Sequence, residues 1–171
     1  PYELGAACAS ALGYPVHTIV EDLPPDVLEA LAVYRGATGM GLINMRDGLR
    51  AAYRLLGEGQ VLALAADRVI GEAPSAVELP FAGGIRPVPT GPAVFAMATG
   101  APVVIGYVAR NPARRPRYVL HLDPPILPGG RDEAERLRLT KVIVDRLAEF
   151  VRTYPDQWFV FQPQWVSGDA R

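Results

Sequence analysis

The chain has 171 residues, half of them hydrophobic and 20% charged, with mean hydropathy +0.14. That much apolar surface can repay the entropy of ordering, which excludes a disordered tail or charged linker and fits one compact domain. Lys+Arg 17 against Asp+Glu 18 leave net charge −1 and an isoelectric point near 6.2, so a nucleic-acid partner, which needs a basic excess, is not expected. A lone cysteine, Cys8, rules out an internal disulfide and a multi-thiolate zinc site. Set among Ala6, Ala7 and Ala9, it reads as a small buried hydrophobe. No apolar run approaches the ~20 residues that span a bilayer. The first residue is Pro1, not Met, and the sequence reads as entered part-way.

Helical and extended segments alternate, which predicts an α/β layer fold. Residues 3–12, rich in Ala and Leu, form a helix that stops at Gly13. PVHTIV (15–20) is a β-branched strand, and 24–37 carries Val27, Leu28, Leu31 and Tyr34 at helical spacing behind two prolines. A short strand at 41–45 leads to a helix capped by Asp47, with Leu49, Ala52, Tyr53 and Leu56 on one face and an end at Gly57 or Gly59. VLALAA (61–66) is continuously apolar and predicts a central strand covered on both faces. Residues 71–92 are so rich in Gly and Pro that they read as a long, functional loop. Thr90 caps a small-residue helix at 93–99 before Gly100; strands at 102–108 and 117–122 follow, paired around the turn 111–116. Leu137, Thr140, Val144, Leu147, Val151 and Tyr154 step along one face of the longest helix, 131–154.

Several polar residues stand out. Glu3 opens the first helix, where the dipole alone would favour a carboxylate. Arg35 ends the second helix, equally well placed at the negative end of a dipole. Asp67 and Arg68 follow VLALAA directly; the carboxyl end of such a strand is where open α/β sheets place their sites, although an ordinary ion pair also fits. Glu78 lies in AVELPFAGG between apolar residues that would partly desolvate it and perturb its pKa. His121 alternates with apolar neighbours as an ordinary strand histidine. No G-x-G-x-x-G and no P-loop lysine are present.

In order along nearly the whole chain, these segments resemble the lysophospholipid acyltransferase family, of the lipid A biosynthesis and phosphatidylinositol mannoside acyltransferase type. PYELGAACASALGYPV is similar to the family's G-N-W-E/D-L block, VYRGATGM to its R-x-x-x-G block, and VLALAADR to a strand ending in A-D-R or P-D-Q. AVELPFAGG resembles V-E-V-x-F-F-G, PTGPAVFAMATGAPVV the P-x-G-x-A block with T-G-A-P, and YPDQWFVFQPQW the closing P-E-Q-W segment. Pro1 and Tyr2 replace Asn-Trp, PFAGG replaces F-F-G, and Gln164 stands where an arginine usually precedes the last tryptophan.

The resemblance implies a mixed central sheet flanked by helices in a single glycerolipid-acyltransferase-like domain, 1–171, that lacks its N-terminal portion. It aligns Glu3 with the acid of an H-x-x-x-x-E/D pair and sets the histidine three positions before Pro1, with two residues between them, so the 171 residues alone are expected to be inactive. HTIVED (17–22) has the same spacing, but odd spacing along a strand points His17 and Asp22 to opposite faces, and the alignment makes His17 a non-catalytic strand residue. Arg35 matches the family arginine, Glu78 its second functional glutamate, and Arg35, Glu78, Asp67 and Arg68 are the implied substrate-binding set. The implied reaction is O-acylation of a membrane glycolipid or lysophospholipid from acyl-CoA or acyl carrier protein, with no cofactor and no metal. ADR at 66–68 leans towards the mannoside branch. The implied setting is the cytoplasmic face of the inner membrane, in contact with its surface. Two other readings remain open: a soluble α/β binding or scaffold domain, and a thioesterase or lipid hydrolase.

Overall fold

In the computed structural model, which describes residues 2–20, 24–69, 75–111, 113, 115–160 and 165–166, helices and strands alternate as the sequence pattern predicts. The side chains of residues 2, 3 and 45–47 are outside this description. The chain divides into two compact units, residues 1–64 and 65–171.

The first unit is a parallel sheet built by helical crossovers. α1 (Tyr2–Ala11) takes up the small-residue stretch and ends before Gly13, whose φ of 92° suits a residue without Cβ. β1 (Val16–Val20) is the middle strand, with β2 (Gly41–Asn44) on one side and β3 (Val61–Ala63) on the other, both parallel to it. α2 (Pro25–Gly36) connects β1 to β2; Pro24 and Pro25 occupy the helix start, where a missing N–H costs nothing. α3 (Met45–Gly57) connects β2 to β3 and buries Ala52 and Leu55, while Gly48 packs on Ile19 and Ile43.

Four expectations are corrected in this unit. α3 begins at Met45, so Asp47 lies inside its first turn and not at its cap. Its buried stripe runs through Gly48, Ala52 and Leu55, one residue round from the predicted face, and Leu49 is exposed. The VLALAA strand is three residues long and, among the described residues, is an edge bonded only to β1; the ladder stops at Thr18↔Ala63. Cys8 is exposed, because α1 turns that side of its alanine-rich surface outward.

The second unit packs two antiparallel ribbons and two helices. The Gly/Pro-rich segment read as a loop contains a hairpin, β4 (Val77–Phe81) and β5 (Gly84–Val88). Its turn takes positive φ at Ala82 (47°) and Gly83 (102°), the twist that suits a tight hairpin. Pro80 and Pro87 are tolerated because both strands of a two-stranded ribbon are edges. Val144, Ala148 and Val151 of α5 (Glu133–Thr153) bury Phe81 and Val88. α4 (Gly91–Thr99) presents Ala93 and Ala96 to Leu139, all at most 3% exposed, so small residues let the two helices approach closely. Thr90 holds the cap position of α4, yet its hydroxyl donates to the Ser75 carbonyl at 3.1 Å and not to the helix. A second hairpin, β6 (Gly106–Arg110) and β7 (Tyr118–Leu122), lays Tyr107 against His121, Phe150 and Tyr154.

α5 is fixed at its N-terminus and again past its middle. The Asp132 carboxylate accepts the Glu135 N–H at 2.8 Å as an N-cap, and Arg146 grips Asp123 with two bonds of 2.6 and 2.8 Å. Glu135 accepts from Arg138 at 2.7 Å and from the Gly129 N–H at 2.8 Å. The Arg138 hydrogen bonds first, then the Gly129 amide, pull its pKa from 4.5 to about 2. A carboxylate depressed in the folded state stabilises above its unfolded pKa and loses that contribution as pH falls. Acid unfolding should therefore steepen between pH 4.5 and about 2, and Glu135→Gln should flatten that window in a pH series of denaturation midpoints. Equal slopes for the two proteins would refute this.

Candidate functional site

In the first unit, Glu3 is the second residue of α1, in its first turn; its side chain lies outside the described residues. Arg35 occupies the last turn of α2, half-buried. Its carbonyl accepts from the Thr38 hydroxyl at 2.6 Å, the Thr38 N–H at 3.0 Å and the Met40 N–H at 3.3 Å. These bonds tie the R-x-x-x-G turn, and Gly39 turns it at φ 83° where a Cβ would stand 3.1 Å from Ser10 Oγ. The arginine is thus held at a defined point in the last turn of α2, shortly before β2.

His17 is paired in register with Gly41, and its ring occupies the space a Cβ there would need: the built atom would lie 2.1 Å from His17 Cδ2. It is a strand residue, as expected, and packs over a glycine. Asp22 and Gln164 lie outside the described residues.

In the second unit, Asp67 and Arg68 follow β3 in a bend and are both half-buried. Asp67 is held at two points. Its carboxylate accepts the indole N–H of Trp158 at 3.1 Å, and its carbonyl accepts a short hydrogen bond from Arg86 Nη2. Arg86 is 0% exposed and lies among Phe81, Trp158 and Trp165, its guanidinium carbon 4.9, 5.4 and 5.7 Å from their ring centroids. Burial lowers the guanidinium pKa and the nearby Asp67 charge raises it in opposition. Arginine suits such a box because its planar cation stacks on rings and keeps its proton.

Glu78 stands on β4 opposite Pro87 and is exposed. Its apolar sequence neighbours Val77 and Leu79 point to the other face, towards α5, so they do not desolvate it. Arg86 pairs with Leu79 on that inner face. The ribbon therefore carries Glu78 on its outer side and the anchor of Asp67 on its inner side. Asp67 and Arg86 are brought together; Glu78 is presented separately.

Arg86 and Trp158 are the residues that sequence reasoning missed. The available signal was alternation: once Val77, Leu79 and Phe81 face the core, the register of a two-residue hairpin puts Arg86 and Val88 on the same side. Chemically, the arrangement fixes the bend that carries Asp67 and Arg68.

A family model described as bacterial lipid A biosynthesis acyltransferase matches residues 3–167. The chain is 28% identical over 161 residues to a phosphatidylinositol mannoside acyltransferase of Mycolicibacterium smegmatis, covering 90% of this chain and 49% of that protein. It is 27% identical over 158 residues to a phosphatidylinositol mannoside acyltransferase of Mycobacterium tuberculosis, covering 88% and 46%. The chain thus spans about half the length of the curated relatives it matches.

Proposed function

The chain belongs to the bacterial lipid A biosynthesis acyltransferase family, and from that premise we propose that it contributes to an O-acyltransferase that moves a fatty acyl group from acyl-CoA or acyl carrier protein to a hydroxyl of a membrane glycolipid or lysophospholipid. The observation that carries this reading is the match running from Glu3 to residue 167, which takes in Arg35, Asp67, Arg68 and Glu78. The names of the relatives and ADR at 66–68 favour a mannoside sugar as acceptor.

A free alcohol is a poor nucleophile near neutral pH, so a base must take its proton as it attacks the thioester carbonyl. The alcohol oxygen bonds to that carbon, the tetrahedral oxyanion collapses, the C–S bond breaks, and the thiol leaves with the proton. In our reading the base is a histidine three positions before Pro1, and Glu3 steadies its tautomer and its protonated form. Arg35, Glu78, Asp67 and Arg68 position the substrate. Donors to the oxyanion come from backbone amides or an arginine. No helix among the described residues is long and apolar enough to cross a membrane. In our reading the reaction takes place at the cytoplasmic face of the inner membrane, on a lipid acceptor held in that bilayer.

Product analysis tests this. The full-length protein, given labelled acyl-CoA or acyl carrier protein and a phosphatidylinositol mannoside acceptor, should yield acylated lipid. Free fatty acid as the sole product would instead support a thioesterase or lipid hydrolase, and no turnover with either donor would support a scaffold domain.

A further inference from the structure

The β6–β7 ribbon is buried along β6, where Val108 and Ala109 are both 4% exposed, and open along β7. One of its faces carries Tyr107 and His121, stacked at 4.7 Å and backed by Phe150 and Tyr154. The Gln157 side chain adds a clamp, accepting the Arg110 N–H at 2.7 Å and donating to the Arg110 carbonyl at 2.9 Å. This holds the ribbon on α5 and the segment after it. The opposite face of β7 presents Tyr118, Leu120 and Leu122, which are 44%, 38% and 62% exposed. Three large apolar side chains in alternation on an exposed strand are costly in water unless something covers them.

The tip beside them is strongly basic. Residues 110–117 (RNPARRPR) hold four arginines and no acid, in a chain of net charge −1. Arg110, Arg115 and Arg117 are all exposed, and none of them pairs with a carboxylate among the described residues. Asp123, just past β7, is engaged by Arg146. Cations flanking exposed Tyr and Leu suit an interface with acidic headgroups on one side and acyl chains on the other.

We propose that the β6–β7 hairpin docks the protein on an anionic bilayer, with Arg110, Arg115 and Arg117 on the phosphates and Tyr118, Leu120 and Leu122 in the acyl boundary. A nucleic acid would engage the arginines alone and leave the apolar face uncovered. A second copy of this chain would bring four more arginines against the first four. The proposal rests on the acyl-transfer reading for placing the protein at a bilayer, and its test separates the two.

Co-sedimentation of the full-length protein with phosphatidylcholine vesicles, with and without phosphatidylglycerol, reads the docking. Binding should require phosphatidylglycerol and weaken with added salt. The triple variant Arg110→Gln/Arg115→Gln/Arg117→Gln should bind about 100-fold more weakly, at roughly fivefold per arginine. Leu120→Ser/Leu122→Ser should also lose binding with all arginines kept. These side chains are exposed, and circular dichroism checks that the fold persists. Undiminished binding by the triple variant overturns the proposal. So does a dimer broken by Leu120→Ser/Leu122→Ser in a protein that ignores vesicles. Acyl transfer to an acceptor in detergent micelles should survive in both variants; its absence in the wild type sinks the chemistry and leaves the docking result standing.

Discussion

Replacing Arg86 by alanine should lower the unfolding free energy by about 2–5 kcal/mol, the range for truncating a large side chain in a packed core. Three contributions act at this position. The guanidinium is 0% exposed and sits among three aromatic rings, so deletion opens a void among Phe81, Trp158 and Trp165. It also removes the donor to the Asp67 carbonyl and the nearby cation that balances the Asp67 charge. The cation–π contacts, worth about 0.5–2 kcal/mol each at most, do not add in full because one cation serves all three rings. Arg86→Met separates the effects: it refills the box but supplies no charge, and half-buried Asp67 can regain water, so the loss should fall to about 1–2 kcal/mol. Trp158→Phe, which keeps a ring and deletes the N–H to Asp67, should cost about 1 kcal/mol. Urea midpoints at constant slope give the ranking. An Arg86→Ala protein within about 1 kcal/mol of the wild type would mean the ribbon is not held through this residue.

The contrast between α5 and the β4–β5 ribbon shows what periodicity could reach. α5 announced itself because Leu137, Thr140, Val144, Leu147, Val151 and Tyr154 step along one face; the structure buries Thr140, Val144 and Val151 of that face and leaves Leu137 exposed. The ribbon was hidden by its own chemistry. Pro80, Pro87 and the glycines read as breakers, yet prolines fit strands whose backbone is unpaired on one side, and Ala82–Gly83 supplies the turn. Missing the strands meant missing their faces. Glu78 then looked desolvated by neighbours that in fact point away from it, and Arg86 drew no notice. Its burial depends on Trp158 and Trp165, far along the chain, which no local pattern can foretell. Glu3 and Arg35 were singled out by ordered motif resemblance, since helix-end position alone explains either charge.

That ambiguity at Glu3 can be resolved by measurement. In the intact protein, Glu3→Gln should lower kcat about 10²–10⁴-fold, the usual worth of general-base assistance, with little change in KM. As a first-turn carboxylate of α1 it also interacts with the helix dipole, worth about 0.3–1 kcal/mol of stability. A residue with only that role would shift the melting midpoint slightly and leave turnover alone. The pH profile is the sharper discriminator. A carboxylate beside an imidazole favours the protonated ring and raises its pKa. Removing the charge should therefore move the acidic limb of kcat/KM to lower pH while the plateau drops. Glu3→Asp, which keeps the charge on a shorter arm, should restore the limb and part of the rate. Normal turnover in Glu3→Gln, with an unmoved limb, would return this glutamate to the helix end and take the proposed general-base pair with it.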